Sequence, residues 1–328
     1  MSAILRRRMV VLPCMAAGVV LASPWVRAQN FPERQINLIV PLPPGGTADI
    51  AARALQEPLS KALSQIVVVD NIGGANGVSG TQAVLNAKPD GHTLLMAFSG
   101  YNVMTPHLVN LPFDPMKDLQ PICNVYAAPQ VLVVRSSLNQ IQTAQDLIRY
   151  AKANPGKLTY GSAGNGSVHH VAAELFKSVT GTFITHLPYT GTGPLLADLL
   201  AGRVDMTLTT APPLIPHIQA GRFRPLLVAA RKRLATLPNV PTAEQVGLKN
   251  FEVTSWFALY THAKTPRNVV DLVADAVQKI MSTAAFRERA ASQGAEASYL
   301  DPLQMKAFAA MEFSRWGRVI KAAGIRAD

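Results

Sequence analysis

Ser167, His169 and His170 lie within four residues of one another, and these are the residue types of a nucleophile and its base. Hydrolysis needs more than nearness in sequence. The serine must meet a base that a third group orients, and the chain has no G-x-S-x-G elbow to present it. Adjacent histidines on a helix point about 100° apart, and no second pair has zinc-helix spacing, so metal binding is equally poorly served. His169 therefore reads as a solvated or interface side chain and His170 as a packed one. The glycines carry a different chemistry. In Pro43-Pro44-Gly45-Gly46-Thr47-Ala48-Asp49 the prolines stop the apolar run 38–40 from continuing as helix or central strand. Gly45 and Gly46 lack a Cβ, so their backbone can take positive φ and leave its N–H groups bare. Thr47 can cap, and Asp49 suits a first helical turn, with ligand orientation as its second reading. Ile50, Ala51, Ala54, Leu55 and Leu59 follow at helical spacing. Free amides and the positive end of a helix dipole meet at this turn, which is the chemistry of an anion site; a tight turn without a ligand is the alternative.

The elements that must position such a turn follow a repeating grammar. Strand-like runs at 66–69 and 158–161 feed glycine-rich loops, and after Ser162-Ala163-Gly164-Asn165-Gly166-Ser167 one helical face runs through Val168, Val171, Ala172, Leu175, Phe176 and Val179. The strand-like run 183–187 leads to Tyr189-Thr190-Gly191-Thr192-Gly193-Pro194, where Pro194 suits the first position of a helix carrying Leu195, Leu196, Leu199 and Leu200. That makes three candidate anion turns. The glycines of loop 71–80 have neither the dinucleotide spacing nor a P-loop lysine. Strands over 93–98 and 204–208 end at the small polar pairs Ser99-Gly100 and Thr209-Thr210, residues 114–121 read as loop, and 131–134, 226–229 and 257–260 read as strands. Thr143 opens a helix, Asn268 caps one over 269–281, and Asp301-Pro302-Leu303-Gln304 resembles a capping box ahead of a long helix through Phe308, Trp316 and Ile320. Alternation of this kind implies parallel sheets with helices on both faces, which bind ligands outside the carboxyl ends of their strands.

Composition narrows the class. Arg6, Arg7 and Arg8 precede an apolar run, and Val26-Arg27-Ala28 fits a small-residue cleavage site, so 1–28 reads as a signal peptide cut after Ala28. Ordinary secretion and twin-arginine export both accommodate Arg7-Arg8. Removal takes four basic residues and no acid, so the net charge falls from +11 to +7. The remaining basic residues are scattered, and no later stretch approaches the ~18 apolar residues of a membrane span, which argues against nucleic acid and membrane insertion. Cys123 is left alone, so no intrachain disulfide forms. About 300 mature residues usually divide into two domains.

The chain resembles the Bug-type receptors, periplasmic solute-binding proteins of tripartite tricarboxylate transport systems. The resemblance rests on residues 43–49, Asn71 with the glycines to Gly80, Pro89-Asp90-Gly91-His92-Thr93-Leu94-Leu95, Leu111-Pro112-Phe113-Asp114-Pro115, Asn154-Pro155-Gly156-Lys157-Leu158-Thr159-Tyr160, Gly164-Asn165-Gly166-Ser167 with His170, and Pro188-Tyr189-Thr190-Gly191. It implies an α/β, type II periplasmic-binding-protein fold: two α/β lobes, 29–123 plus 258–328 and 124–257, joined by two crossing strands and closing over a ligand. It further implies a monomer without cofactor or metal, holding a small carboxylate or similar polar molecule for membrane transporter subunits, or for a sensor kinase. By matching motif the ligand-binding residues are Gly45, Gly46, Thr47, Ser99, Gly100, Asn165, Gly166, Ser167, Thr190, Gly191, Thr192, Thr209 and Thr210. Thr209-Thr210 stands where that family often has an acidic residue with an Asn, which favours a plain carboxylate or near-neutral molecule over an amino acid.

Overall fold

The computed structural model describes residues 31–74 and 77–327. The expected signal peptide lies outside the described residues. β1 (Ile36–Val40) is an apolar strand that Pro41, Pro43 and Pro44 terminate, and α1 (Thr47–Leu63) starts directly after the glycines. β2 (Val67–Asn71) and β3 (Thr93–Phe98) flank β1 in parallel, with Ile36 opposite Val67 and Leu38 opposite Leu94, and α2 (Val78–Asn86) connects them. After β3 the chain makes a buried π-type turn, Gly100–Met104, before β4 (Leu119–Arg135). Then come α3 (Ala144–Ala153), β5 (Thr159–Ser162), α4 (Val168–Thr180), β6 (Thr185–Pro188), α5 (Thr192–Leu200), β7 (Met206–Thr210), α6 (Ala211–Gln219) and β8 (Phe223–Val228). β9 (Thr254–His262) returns the chain to the first sheet, which α7 (Arg267–Met281), α8 (Ala284–Ser292), β10 (Glu296–Leu300) and α9 (Pro302–Ala322) complete.

The sheet is mixed rather than all parallel. Its order is β2-β1-β3-β9-β4-β7-β5-β6, with β8 and β10 also paired to β4. The outer strands pair in parallel, whereas β9 runs antiparallel to β3 and to β4. β4 is long enough to serve two sheets: residues 119–129 pair with β9, and residues 130–135 pair with β7 and β8. The change of partner falls at Pro129, which has no N–H to donate, and the ladder resumes when the Gln130 amide donates to Val253 O at 2.9 Å. β4 and β9 are therefore the two crossing strands.

Several local expectations change. Leu119–Pro121 belongs to β4 and not to a loop, because register shifts beside Pro121 let a proline sit in the strand. α7 begins at Arg267 with Pro266 before it, and Asn268 is already inside the helix. α5 begins at Thr192, which puts Pro194 third in the helix, where its missing N–H is still one of the unpaired starting amides. Val179 and Phe183 are exposed; α4 buries Val168, Val171, Ala172, Phe176 and both histidines instead. Trp256 stacks on Tyr260 and meets Phe308 edge-on, packing β9 against α9. Among the described residues, no helix is long and apolar enough to cross a membrane, and no cluster of three His, Cys, Asp or Glu could hold a metal. Cys123 is buried, and burial pushes its thiol pKa well up, so it stays a protonated, inert thiol.

Candidate functional site

Four helices begin around one small cavity. Gly46, Thr47 and Ala48 bring the start of α1; Ser167, Val168 and His169 that of α4; Thr192 that of α5; and Thr210 that of α6. The first amides of a helix have no intrahelical partner, and the dipole adds partial positive charge there, so the cavity sits in a field that favours an anion. No Asp, Glu, Lys or Arg is among the lining residues. The walls are apolar where they are not hydroxyl or amide: Leu42, Phe98, Ala163 and Phe257 close it. Beneath it, Ser255 on β9 accepts a hydrogen bond from Gln130 Nε2 on β4 at 2.9 Å, tying the two crossing strands together. The cavity measures ≈ 30 Å³, room for about two waters, so the helices are drawn tightly together. Thr47 Oγ1 and Thr210 Oγ1 lie 2.7 Å apart, joining α1 to α6. A Cβ on Gly193 would come within 2.6 Å of Pro44 O, and one on Gly191 within 2.9 Å of Pro43.

The first glycine turn is pinned from behind. Gly45, at φ +91°, directs its N–H to Asp49 Oδ2 at 3.1 Å, so this amide is already used. Asp49 also accepts from Arg53 Nε at 2.9 Å; Arg53 Nη2 donates to Asn71 Oδ1, and Asn71 Nδ2 donates to Leu42 O. Gly46, at φ −88°, is in ordinary extended backbone, and Thr47 does not cap: Gly46 occupies that position without a side-chain bond. On α4 the Ser167 Oγ accepts the His170 N–H at 3.3 Å, and His170 Nδ1 accepts the Gly166 N–H at 3.2 Å. His169 is buried, with Nε2 2.9 Å from Thr209 Oγ1, and burial lowers its pKa to about 4, leaving a neutral imidazole at ordinary pH.

Residues 51–325 match the family described as tripartite tricarboxylate transporter family receptor. The chain belongs to that family. Protein BugT of Bordetella pertussis is similar to this receptor at 34% identity, over 98% of this chain and 98% of its own. Among solved structures, an R. palustris protein with adipate superposes at TM-score 0.87 and 35% identity, covering 90% of this chain and 99% of that one. The periplasmic binding protein BugD does so at 0.85 and 32%, covering 90% and 99%. The receptor has the two-lobed α/β fold of these binding proteins.

Of the residues expected from sequence, Gly46, Thr47, Ser167, Thr192 and Thr210 line the receptor's cavity together. Gly45 and Asp49 brace the first turn from outside it. Gly100 lies against the start of α4, where a Cβ on it would meet Val168 N at 3.0 Å, and Ser99 is buried just before it. Thr105 Oγ1 donates to Gly166 O at 3.1 Å, fixing the same corner. Asn165 and Thr190 line a neighbouring groove of ≈ 450 Å³ with Leu111 and Tyr189. Gly191 packs on Pro43, and Thr209 stands behind His169. Sequence reasoning missed the start of α6 and the part of His169. Thr210-Ala211-Pro212-Pro213 carries a readable signal, a polar cap followed by prolines in the first turn. For His169 the only signal was its place in the first turn after Ser167.

Proposed function

We propose that this receptor captures one small carboxylate in the cavity between lobes 29–123 plus 258–328 and 124–257. We infer that it works as an exported monomer, cleaved after Ala28, that hands the solute to the membrane subunits of a tripartite tricarboxylate transporter. The observation that carries the reading is the convergence of four helix N-termini on a cavity without a charged side chain in its lining. Such a site binds an anion through amides and hydroxyls and offers nothing to pair with an ammonium group. The contacts fall to Gly46, Thr47, Ser167, Thr192 and Thr210, with Gly45, Asp49, Ser99, Gly100, Asn165, Gly166, Thr190, Gly191 and Thr209 shaping the turns that present them. The adipate-bound relative supports a dicarboxylate. A ligand of that size needs the helix ends to stand further apart than in the ≈ 30 Å³ cavity, so binding involves opening and reclosure about β4 and β9.

Micromolar affinity requires about 8 kcal/mol, which a few charge-assisted hydrogen bonds of roughly 1.5–3 kcal/mol each supply after ordering costs. Titration calorimetry of the mature protein against mono-, di- and tricarboxylates and amino acids is expected to show saturable heat with a carboxylate and none with amino acids. The bound compound should be recovered unchanged by mass spectrometry, as a receptor requires and an enzyme does not. No heat with any carboxylate, together with no copurified anion, overturns the reading.

A further inference from the structure

His169 has one side-chain nitrogen without a partner among the described residues. His169 is among the residues that line the cavity and is 5% exposed. Nε2 meets Thr209 Oγ1 at 2.9 Å, and Thr209 is not part of the lining. Nδ1 is buried and has no hydrogen-bond partner among the described residues. A buried polar atom left unpaired costs about 1–3 kcal/mol, so it is retained where something else satisfies it. Thr209 is itself 0% exposed, and with its hydroxyl turned to Nε2 it orients the ring from behind.

We propose that His169 is a specificity-determining residue whose Nδ1–H donates to a carboxylate oxygen of the solute, while Nε2 accepts from the Thr209 hydroxyl. This rests on the carboxylate reading above and deepens it. The neutral imidazole adds a directional donor where the helix ends supply only field and amides, and the tautomer it needs is the one an anion favours. The arrangement selects solutes that place a carboxylate oxygen within reach of Nδ1 while the helix N-termini hold the charge. A solute presenting a donor there, such as an amide N–H, binds only after the ring proton shifts to Nε2 and the Thr209 hydroxyl turns to accept it, so it carries the cost of that rearrangement.

Two isosteric variants separate this role from a structural one. An Asn side chain places its amide near the position of Nδ1, and a Gln side chain places it near Nε2. His169→Asn therefore keeps the solute-facing donor and loses the Thr209 contact, while His169→Gln does the reverse. Each is titrated with the panel carboxylate that binds the wild type most tightly. The expected result is a Kd for His169→Gln raised at least about tenfold, with His169→Asn within about threefold of wild type. In the bound wild type, nitrogen-detected NMR of the His169 ring should show the proton on Nδ1. Equal affinity in wild type and His169→Gln, or a proton on Nε2 in the complex, overturns the inference while the carboxylate reading stands. Absence of carboxylate binding by the wild type overturns both. Circular dichroism and unfolding of both variants confirm that each is folded before affinities are compared.

Discussion

His169 occupies the second position of α4, where a charged imidazolium would face the helix's own positive end as well as an apolar wall. Burial holds its pKa at about 4, below the usual 6.5, so the folded state binds fewer protons than the unfolded chain between these values. The stability this group contributes is therefore complete above pH 6.5 and is lost as pH falls towards 4. Between pH 7 and 5 the loss comes to about 2 kcal/mol. Urea midpoints at the two pH values should differ accordingly, and the difference should shrink in His169→Asn; an unchanged slope in the variant would assign the acid sensitivity elsewhere. Sequence could name this residue but not place it. Adjacent histidines on a helix differ by about 100°, and which of them meets a cavity depends on how α4 packs, which no local rule gives. His170 was legible as a packed side chain, and it is one, bound to the Gly166 amide.

The loop between β1 and α1 shows how an element is held in register. Asp49 was legible as a first-turn helix residue, and its further work, accepting from Gly45 and Arg53, depends on Asn71, 22 residues downstream, closing the network onto Leu42. Asp49→Ala leaves Arg53 Nε and the Gly45 amide without their acceptor. It should cost about 1–3 kcal/mol of stability and weaken binding severalfold by loosening the turn, although Asp49 does not line the cavity. Unfolding and calorimetry on the same preparation check this, and wild-type values in both would show the strut to be incidental. Elements with strong local signals were readable: β3 at 93–98, the helix start at Thr143, the Asp301 capping box, and the buried face of α4 up to Phe176. β4 was not, beyond 131–134, because Pro121 and Pro129 argue locally against a strand. Register shifts and a change of partners accommodate them. α6 was missed for the same reason. Three prolines in nine residues disguise a helix that is kept by the burial of Leu214 and Ile215.

At the scale of the molecule, the approach of the helix ends depends on glycines that leave no room for a side chain. Gly193 lies in α5, where Ala is the better helix former by about 1 kcal/mol, yet its Cβ would strike Pro44 O at 2.6 Å. Gly193→Ala should therefore leave each lobe folded while holding the α1 and α5 starts apart. Expected are a binding constant weakened at least tenfold, as in other steric blocks worth about 1.4 kcal/mol or more, and a larger radius of gyration by solution scattering with saturating solute. Wild-type affinity together with wild-type dimensions would mean that the two elements do not need to meet. The lack of charged side chains in the cavity lining also has a kinetic side. A solute held by an ion pair must wait for that pair to be exchanged or neutralised before it leaves. Here the stabilising charge is spread over the ends of several helices, and the influence of each fades within about a turn of its end. Parting the helix ends by a few ångströms dismantles the site all at once. If the solute is held as proposed, its dissociation is timed by opening alone and needs no competing anion, proton or other chemical trigger.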